Sequence, residues 1–262
     1  MEKTIKYWPA LFFLLFLFSG CCECPVIQAV NRNTLIFIDK SKSAELSSPA
    51  YLSQIKENLE TMLDTTIRQA GDRVEIRLIH GGTIDAAKVF SAQFAEELPC
   101  ECGKKSIEFT QDTTLYTQKL RNLRQSVLDE VEAQVLATSN NTATLETDLL
   151  GTLAAVADFF KNASAAAPKT ILYLSDMVHS QAAPRDYQLS PLKDKNDAEA
   201  AAQHDWMWVQ QQYGIRQGQM TNARVYLWFP GELIAKTQTG EMKYYWKEMF
   251  RLVDASVRVE SN

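Results

Sequence analysis

The chain has 262 residues, 27 of them basic and 32 acidic, for a formal charge of −5 at pH 7. An acidic chain lacks the basic footprint that nucleic-acid phosphates require, which argues against a nucleic-acid partner. The length suits one domain with a sizeable core, and neither a Pro/Gly/Ser-rich linker nor an internal repeat divides it.

At the N-terminus, Lys3 and Lys6 precede the apolar run Leu11 to Phe18, which ends in Ser19-Gly20-Cys21. A basic start, a short apolar core and small residues at its end read as an export signal and not as a spanning helix. Small residues just before a cysteine resemble a bacterial lipobox, with Phe18 standing where Leu is usual. On that resemblance residues 1–20 are a lipoprotein signal peptide, Cys21 is the lipidated first residue and residues 21–33 are a tether. The chain would then be exported and lipid-anchored in the cell envelope, at the outer membrane or periplasmic face of a double-membraned bacterium. An ordinary cleaved signal and an uncleaved anchor are the alternatives. Cys22, Cys24, Cys100 and Cys102 remain, allowing three disulfide pairings in an oxidising compartment or a reduced state. Their Cys-x-Cys spacing does not suit zinc.

The first predicted strand, Thr34 to Ile38, runs into Asp39-Lys40-Ser41-Lys42-Ser43. Leu52, Ile55, Leu59, Met62, Leu63 and Ile67 then recur at helical spacing, predicting a helix from about Leu52 to Ala70. Val74 to Ile79 reads as a strand, Gly81-Gly82 as a turn, and Lys88 to Phe94 as an antiparallel edge strand. An insertion near 95–112 carries the second cysteine pair, and a helix from about Leu115 to Ala137 follows. Leu149 to Phe160 is apolar on most faces and should form a deep helix. The strand Thr170 to Leu174 stops at Ser175-Asp176, and a polar loop spans about 179–197. A helix from Ala198 to Tyr213, a strand from Ala223 to Phe229 and a last helix over Met242 to Val253 complete the domain, bounded at 34–256. Strands alternating with helices, and apolar almost throughout, predict a three-layer, Rossmann-like α/β fold. Its sheet is mainly parallel with one antiparallel edge strand, and helices cover both faces.

Three segments bring oxygen-bearing side chains to strand ends and a helix start: Asp39, Ser41 and Ser43; Thr147; and Asp176. Alternate hydroxyls after a buried strand can face one hard cation while Lys40 and Lys42 point away. This order of segments resembles the von Willebrand factor A domain: Asp39-x-Ser41-x-Ser43, then Thr147-Asp148-Leu149, then Ser175-Asp176. Met177 stands where that family commonly has Gly. The resemblance implies a metal ion-dependent adhesion site. Ser41, Ser43 and Thr147 would be its hydroxyl ligands, and Asp39 and Asp176 would hold the ion directly or through water. The ion would be Mg2+, with Mn2+ and Ca2+ as alternatives. A protein partner would complete its shell, often with an acidic side chain, so the implied activity is binding and not catalysis.

A haloacid dehalogenase-like phosphohydrolase with Asp39 as nucleophile is the rival from another class, but it leaves Ser43 and Thr147-Asp148 without a role. A von Willebrand factor A scaffold without an ion is the third reading. His179 reads as a rim residue; His80 and His204 lack metal-like spacing to it. Trp206 and Trp208 cannot share a helix face. Gly103-Lys104-Lys105-Ser106 lacks the glycine a phosphate loop needs at position 98, and the mature chain has no Gly-x-Ser-x-Gly elbow.

Overall fold

A computed structural model describes residues 30–41, 46, 48–81, 88–138, 146–229 and 237–261. Cys21, Cys22, Cys24 and Ser43 lie outside the described residues. So do the apolar N-terminal run and the Gly82 side of the predicted turn. Cys100 and Cys102 are both disulfide-bonded. Among the described residues no helix is long and apolar enough to cross a membrane.

Six strands form one sheet: β1 (Asn33–Asp39), β2 (Arg73–Ile79), β3 (Lys88–Gln93), β4 (Lys169–Leu174), β5 (Ala223–Phe229) and β6 (Ser256–Ser261), in the order β3-β2-β1-β4-β5-β6. Only β3 pairs antiparallel, against β2; the other ladders are parallel. The five helices of the described residues are α1 (Pro49–Thr66), α2 (Ser106–Thr138), α3 (Leu149–Phe160), α4 (Lys195–Tyr213) and α5 (Thr237–Leu252).

Side chains alternate across a strand, so a strand apolar at every position feeds two cores. Leu35 and Phe37 of β1 enter one core with α3, α4 and α5, where Val156, Trp206 and Trp246 pack. Ile36 and Ile38 enter the other with α1 and α2, where Leu59, Leu63 and Val131 pack. The result is the three-layer α/β fold that the pattern predicts. Local signals agree with it: Ser48 caps α1 ahead of Pro49, Asp148 caps α3 and Asp194 caps α4.

Two features differ from the sequence reading. The helix α2 begins at Ser106, so the segment read as an insertion is irregular only as far as residue 105. Its first turns carry Thr110, Thr113, Thr114 and Thr117, whose hydroxyls bond carbonyls four residues back. Such polar turns show no apolar period to read. The sixth strand, β6, was not expected, because among the described residues it pairs with β5 alone and too few apolar residues mark it.

Phe37 stacks on Tyr173 of the neighbouring strand, their ring centroids 5.0 Å apart. Replacing Phe37 with Ala should cost about 3–5 kcal/mol, as truncated core aromatics do. Urea unfolding would show it as a lowered midpoint with an unchanged slope.

Candidate functional site

Parallel pairing of β1 with β4 sets Ile38 opposite Leu174, so the chain leaves both strands at one edge with Asp39 beside Ser175. The Ser175 hydroxyl donates to Asp39 Oδ2 at 2.6 Å, and the Ser41 amide donates to Asp39 Oδ1 at 2.8 Å. Asp176 follows at the next position, its Oδ1 accepting the Val178 amide at 3.0 Å. Asp39 and Asp176 are both buried, at 0% and 4% exposure. Burial pushes the Asp39 carboxyl up to about 7, and the Asp176 charge adds to the rise. Hydrogen bonds from Ser175 and Ser41 oppose it.

Thr147 arrives at this edge from another direction. Lys40 donates its amide to the Ile79 carbonyl at 3.1 Å, and Asp148 donates its amide to the His80 carbonyl at 3.3 Å, so the start of α3 lies against the β2 exit next to β1. The Thr147 amide donates to Ser180 Oγ at 2.7 Å, and the Ser180 amide donates back to the Thr147 carbonyl at 3.1 Å. The Thr147 hydroxyl is itself buried without a hydrogen-bond partner among the described residues. A buried polar atom left unmade is costly, and here the atom is one of the ligands that the sequence pattern nominates.

His179 is fully buried, which corrects its reading as a rim residue. Its Nδ1 accepts the Leu149 amide at 3.2 Å and its Nε2 donates to the Ala183 carbonyl at 3.1 Å. Burial holds its pKa below the usual value, and the neutral ring fastens the first turn of α3 to the loop after β4. That loop is anchored again by Tyr187, whose hydroxyl donates to Asp205 Oδ2, as the Tyr245 hydroxyl also does at 3.0 Å. Neither His179 nor Ser180 belonged to a readable motif, because each acts through backbone groups that only the fold brings near.

Met177 adopts φ 59°, the left-handed region that favours glycine. The Met177 side chain is buried, and its carbonyl accepts the Trp246 indole N–H at 2.8 Å. The backbone therefore takes a glycine-like turn without glycine. Lys40 turns away from the edge and donates to the Gln134 carbonyl of α2.

Asp39, Ser41, Thr147 and Asp176 thus all lie at the carboxyl edge of the sheet, while Ser43 is outside the described residues. The described residues contain no group of three or more His, Cys, Asp or Glu side chains suited to a metal. The set here is two carboxylates and hydroxyls, which is oxygen-only and suits a hard cation. Asp39 accepts from the Ser175 hydroxyl and from both the amide and the hydroxyl of Ser41, and a carboxylate offers about four lone-pair sites, so room for an ion remains. The residues present therefore fit a small divalent cation.

No family model matches the chain, and no curated protein matches it. Among solved structures it is similar to a von Willebrand factor type A protein from Catenulispora acidiphila, at 13% identity and TM-score 0.39, over 89% of this chain and 39% of the other. It is similar to the human COPII-coat protein Sec24c at 13% identity and TM-score 0.44, over 88% and 30%. A third likeness is to proximal thread matrix protein 1 of the mussel byssus, at 13% identity and TM-score 0.36, over 86% and 47%. The chain spans under half the length of each. The fold class rests on the strand order and pairing described above.

The raised Asp39 pKa has a sign that can be measured. Between the ordinary carboxylate range, about 4, and about 7, the folded protein keeps a proton that the unfolded chain has released. Stability in chelator should therefore fall as pH rises through this window, by about 2–3 kcal/mol between pH 5 and 8. Urea melts of the Asp39→Asn variant, which keeps the acceptor but not the charge, should lose most of that slope.

Proposed function

We propose that the chain is a cell-envelope lipoprotein whose von Willebrand factor A-like domain binds a protein partner through a divalent cation at a MIDAS-like site. The observation that carries this reading is the buried Thr147 hydroxyl, unpartnered among the described residues, at the edge where Asp39 and Asp176 adjoin. Asp39 and Asp176 would hold Mg2+ directly or through water, and Ser41, Ser43 and Thr147 would supply neutral oxygens. Two carboxylates balance the ion's formal charge, while hydroxyls donate little, so the bound ion would remain an acceptor for one further oxygen from outside. An acidic side chain of the partner suits that position. Ser175 and the Ser41 amide fix Asp39, and His179 fixes the start of α3, so Asp39 and the segment that carries Thr147 are held in place by the protein itself. The loop from 181 to 194 would form the rim that selects the partner. Nothing in this arrangement calls for turnover, and the proposal is binding alone. The lipid anchor at Cys21 rests on the signal-like N-terminus.

Calorimetry with Mg2+ should show one site, abolished by Asp39→Ala and by Thr147→Ala and retained in Thr147→Ser. Isotherms in both alanine variants that match the unsubstituted chain would end the claim that an ion binds at this site. A pull-down from solubilised envelopes should capture a partner that chelator releases. Globomycin-sensitive processing, with palmitate labelling lost in Cys21→Ser, checks the anchor separately.

A further inference from the structure

We propose that Cys22 and Cys24 are joined to Cys100 and Cys102 by two disulfides, a staple that fastens the N-terminal tether to the segment before α2 and holds the domain to its anchor by the amino edge of the sheet. Cys100 and Cys102 are both bonded, and the other cysteines of the chain are Cys21, Cys22 and Cys24. The choice is therefore between one bridge across Glu101 and two bridges to the N-terminus.

The local backbone decides against the first. A bridge needs β-carbons about 3.5–4.5 Å apart, so cysteines separated by one residue meet only where the chain folds back between them. Here the reversal comes later. The Lys104 amide donates to the Glu101 carbonyl at 3.2 Å, and Gly103 has φ 73°, which centres the turn on Cys102-Gly103. Glu101, the residue between the two cysteines, opens that turn and is not one of its central residues.

The fold brings the N-terminal partners within reach. Where the tether enters β1, the Asp72 carboxylate accepts the Arg32 amide at 2.8 Å, and the Asp72 carbonyl accepts the Phe94 amide at 2.9 Å. Asp72 thus joins the incoming tether to the chain that leaves β3. Cys24 precedes Val30 by six residues and Cys100 follows Phe94 by six, spans of at most about 22 Å each. The early turns of α2 pack at the same edge. Tyr116 lies edge-on to Phe94, ring centroids 5.3 Å apart, its hydroxyl donates to the Arg68 carbonyl at 2.9 Å, and Lys119 pairs with Glu96 at 2.7 Å. Between Phe94 and Ser106 the chain contains neither helix nor strand, and two bridges would supply the hold that a ladder or helix would give elsewhere.

Spacing fits a double bridge, because both pairs are the same tripeptide, Cys22-Glu23-Cys24 and Cys100-Glu101-Cys102. Each bridge joins two thiols and gives up two electrons and two protons to a disulfide oxidant, the class of reagent that an oxidising compartment provides. The candidate ion site lies at the other end of the strands. Asp39 stands six residues along β1 from Asn33, a rise of about 20 Å. A lipid on Cys21, the neighbour of Cys22, would stay at the amino edge, leaving the carboxyl edge to face away from the membrane toward a partner. That consequence rests on the lipoprotein reading; the bridges themselves do not.

Two measurements on the full chain test the staple. Tryptic digestion without reductant should yield the fragment ending at Arg32 joined to Val89–Lys104, four hydrogens lighter than the two together, and reductant should separate them. For the second, a protease recognition sequence is inserted between Ile27 and Gln28 and the chain is reconstituted in lipid vesicles. Cleavage should leave most of the domain on the vesicles until reductant is added, whereas the double variant Cys100→Ser, Cys102→Ser should be released by cleavage alone. A Val89–Lys104 fragment that runs by itself, with an internal bridge or with free thiols, overturns the proposal, as does release of the unsubstituted domain by cleavage without reductant. A chain that never joins the vesicles contradicts the lipid anchor instead, and the digest then decides the bridges alone.

Discussion

Two carboxylates meet at the carboxyl edge of the sheet because β1 and β4 run parallel and in register. Ile38 pairs with Leu174, so Asp39 and Ser175-Asp176 emerge together. Placing two acids side by side and away from water opposes folding, and the raised Asp39 pKa reports that opposition. Most of the local structure answers it. The Ser175 hydroxyl and the Ser41 amide each donate to Asp39, and the Val178 amide donates to Asp176. These donors lower the cost of charge there without removing it, which is the condition under which a cation binds with most effect.

Around this pair, positions are fixed from the backbone outward. The left-handed turn at Met177 would suit glycine, and a β-carbon there costs about 1–2 kcal/mol. Here the Met177 side chain is buried in the core shared with Trp246, and the indole N–H of Trp246 satisfies the Met177 carbonyl. Packing therefore substitutes for conformational freedom, and the path beyond Asp176 is held from the side of α5. On the other flank, the neutral His179 ring spans from the Leu149 amide to the Ala183 carbonyl, coupling the start of α3 to the loop after β4. Thr147 lies between these fastenings, its hydroxyl without a hydrogen bond among the described residues.

The parts legible in the sequence were those with strong period or punctuation. Apolar strands over 34–38 and 170–174, the deep helix Leu149–Phe160, and the antiparallel edge strand all follow from hydrophobic spacing and turn residues. Asp39, Ser41, Thr147 and Asp176 were nominated by their place at strand ends and a helix start, which topology then brought to one edge. The illegible parts lacked such signals. The first turns of α2 are Thr-, Gln- and Asp-rich, and β6 is a short edge strand. Ser175, Ser180 and His179 matter through single hydrogen bonds to groups that are distant in sequence or on the main chain.

Crystals grown with Mn2+ in place of Mg2+ would test the central claim most directly, through the metal's anomalous scattering. The account predicts one strong peak between Asp39 and Asp176, with the Thr147 hydroxyl within direct coordinating distance. A map with no peak at that edge, or one in which the Thr147 hydroxyl bonds another protein group instead, would contradict it.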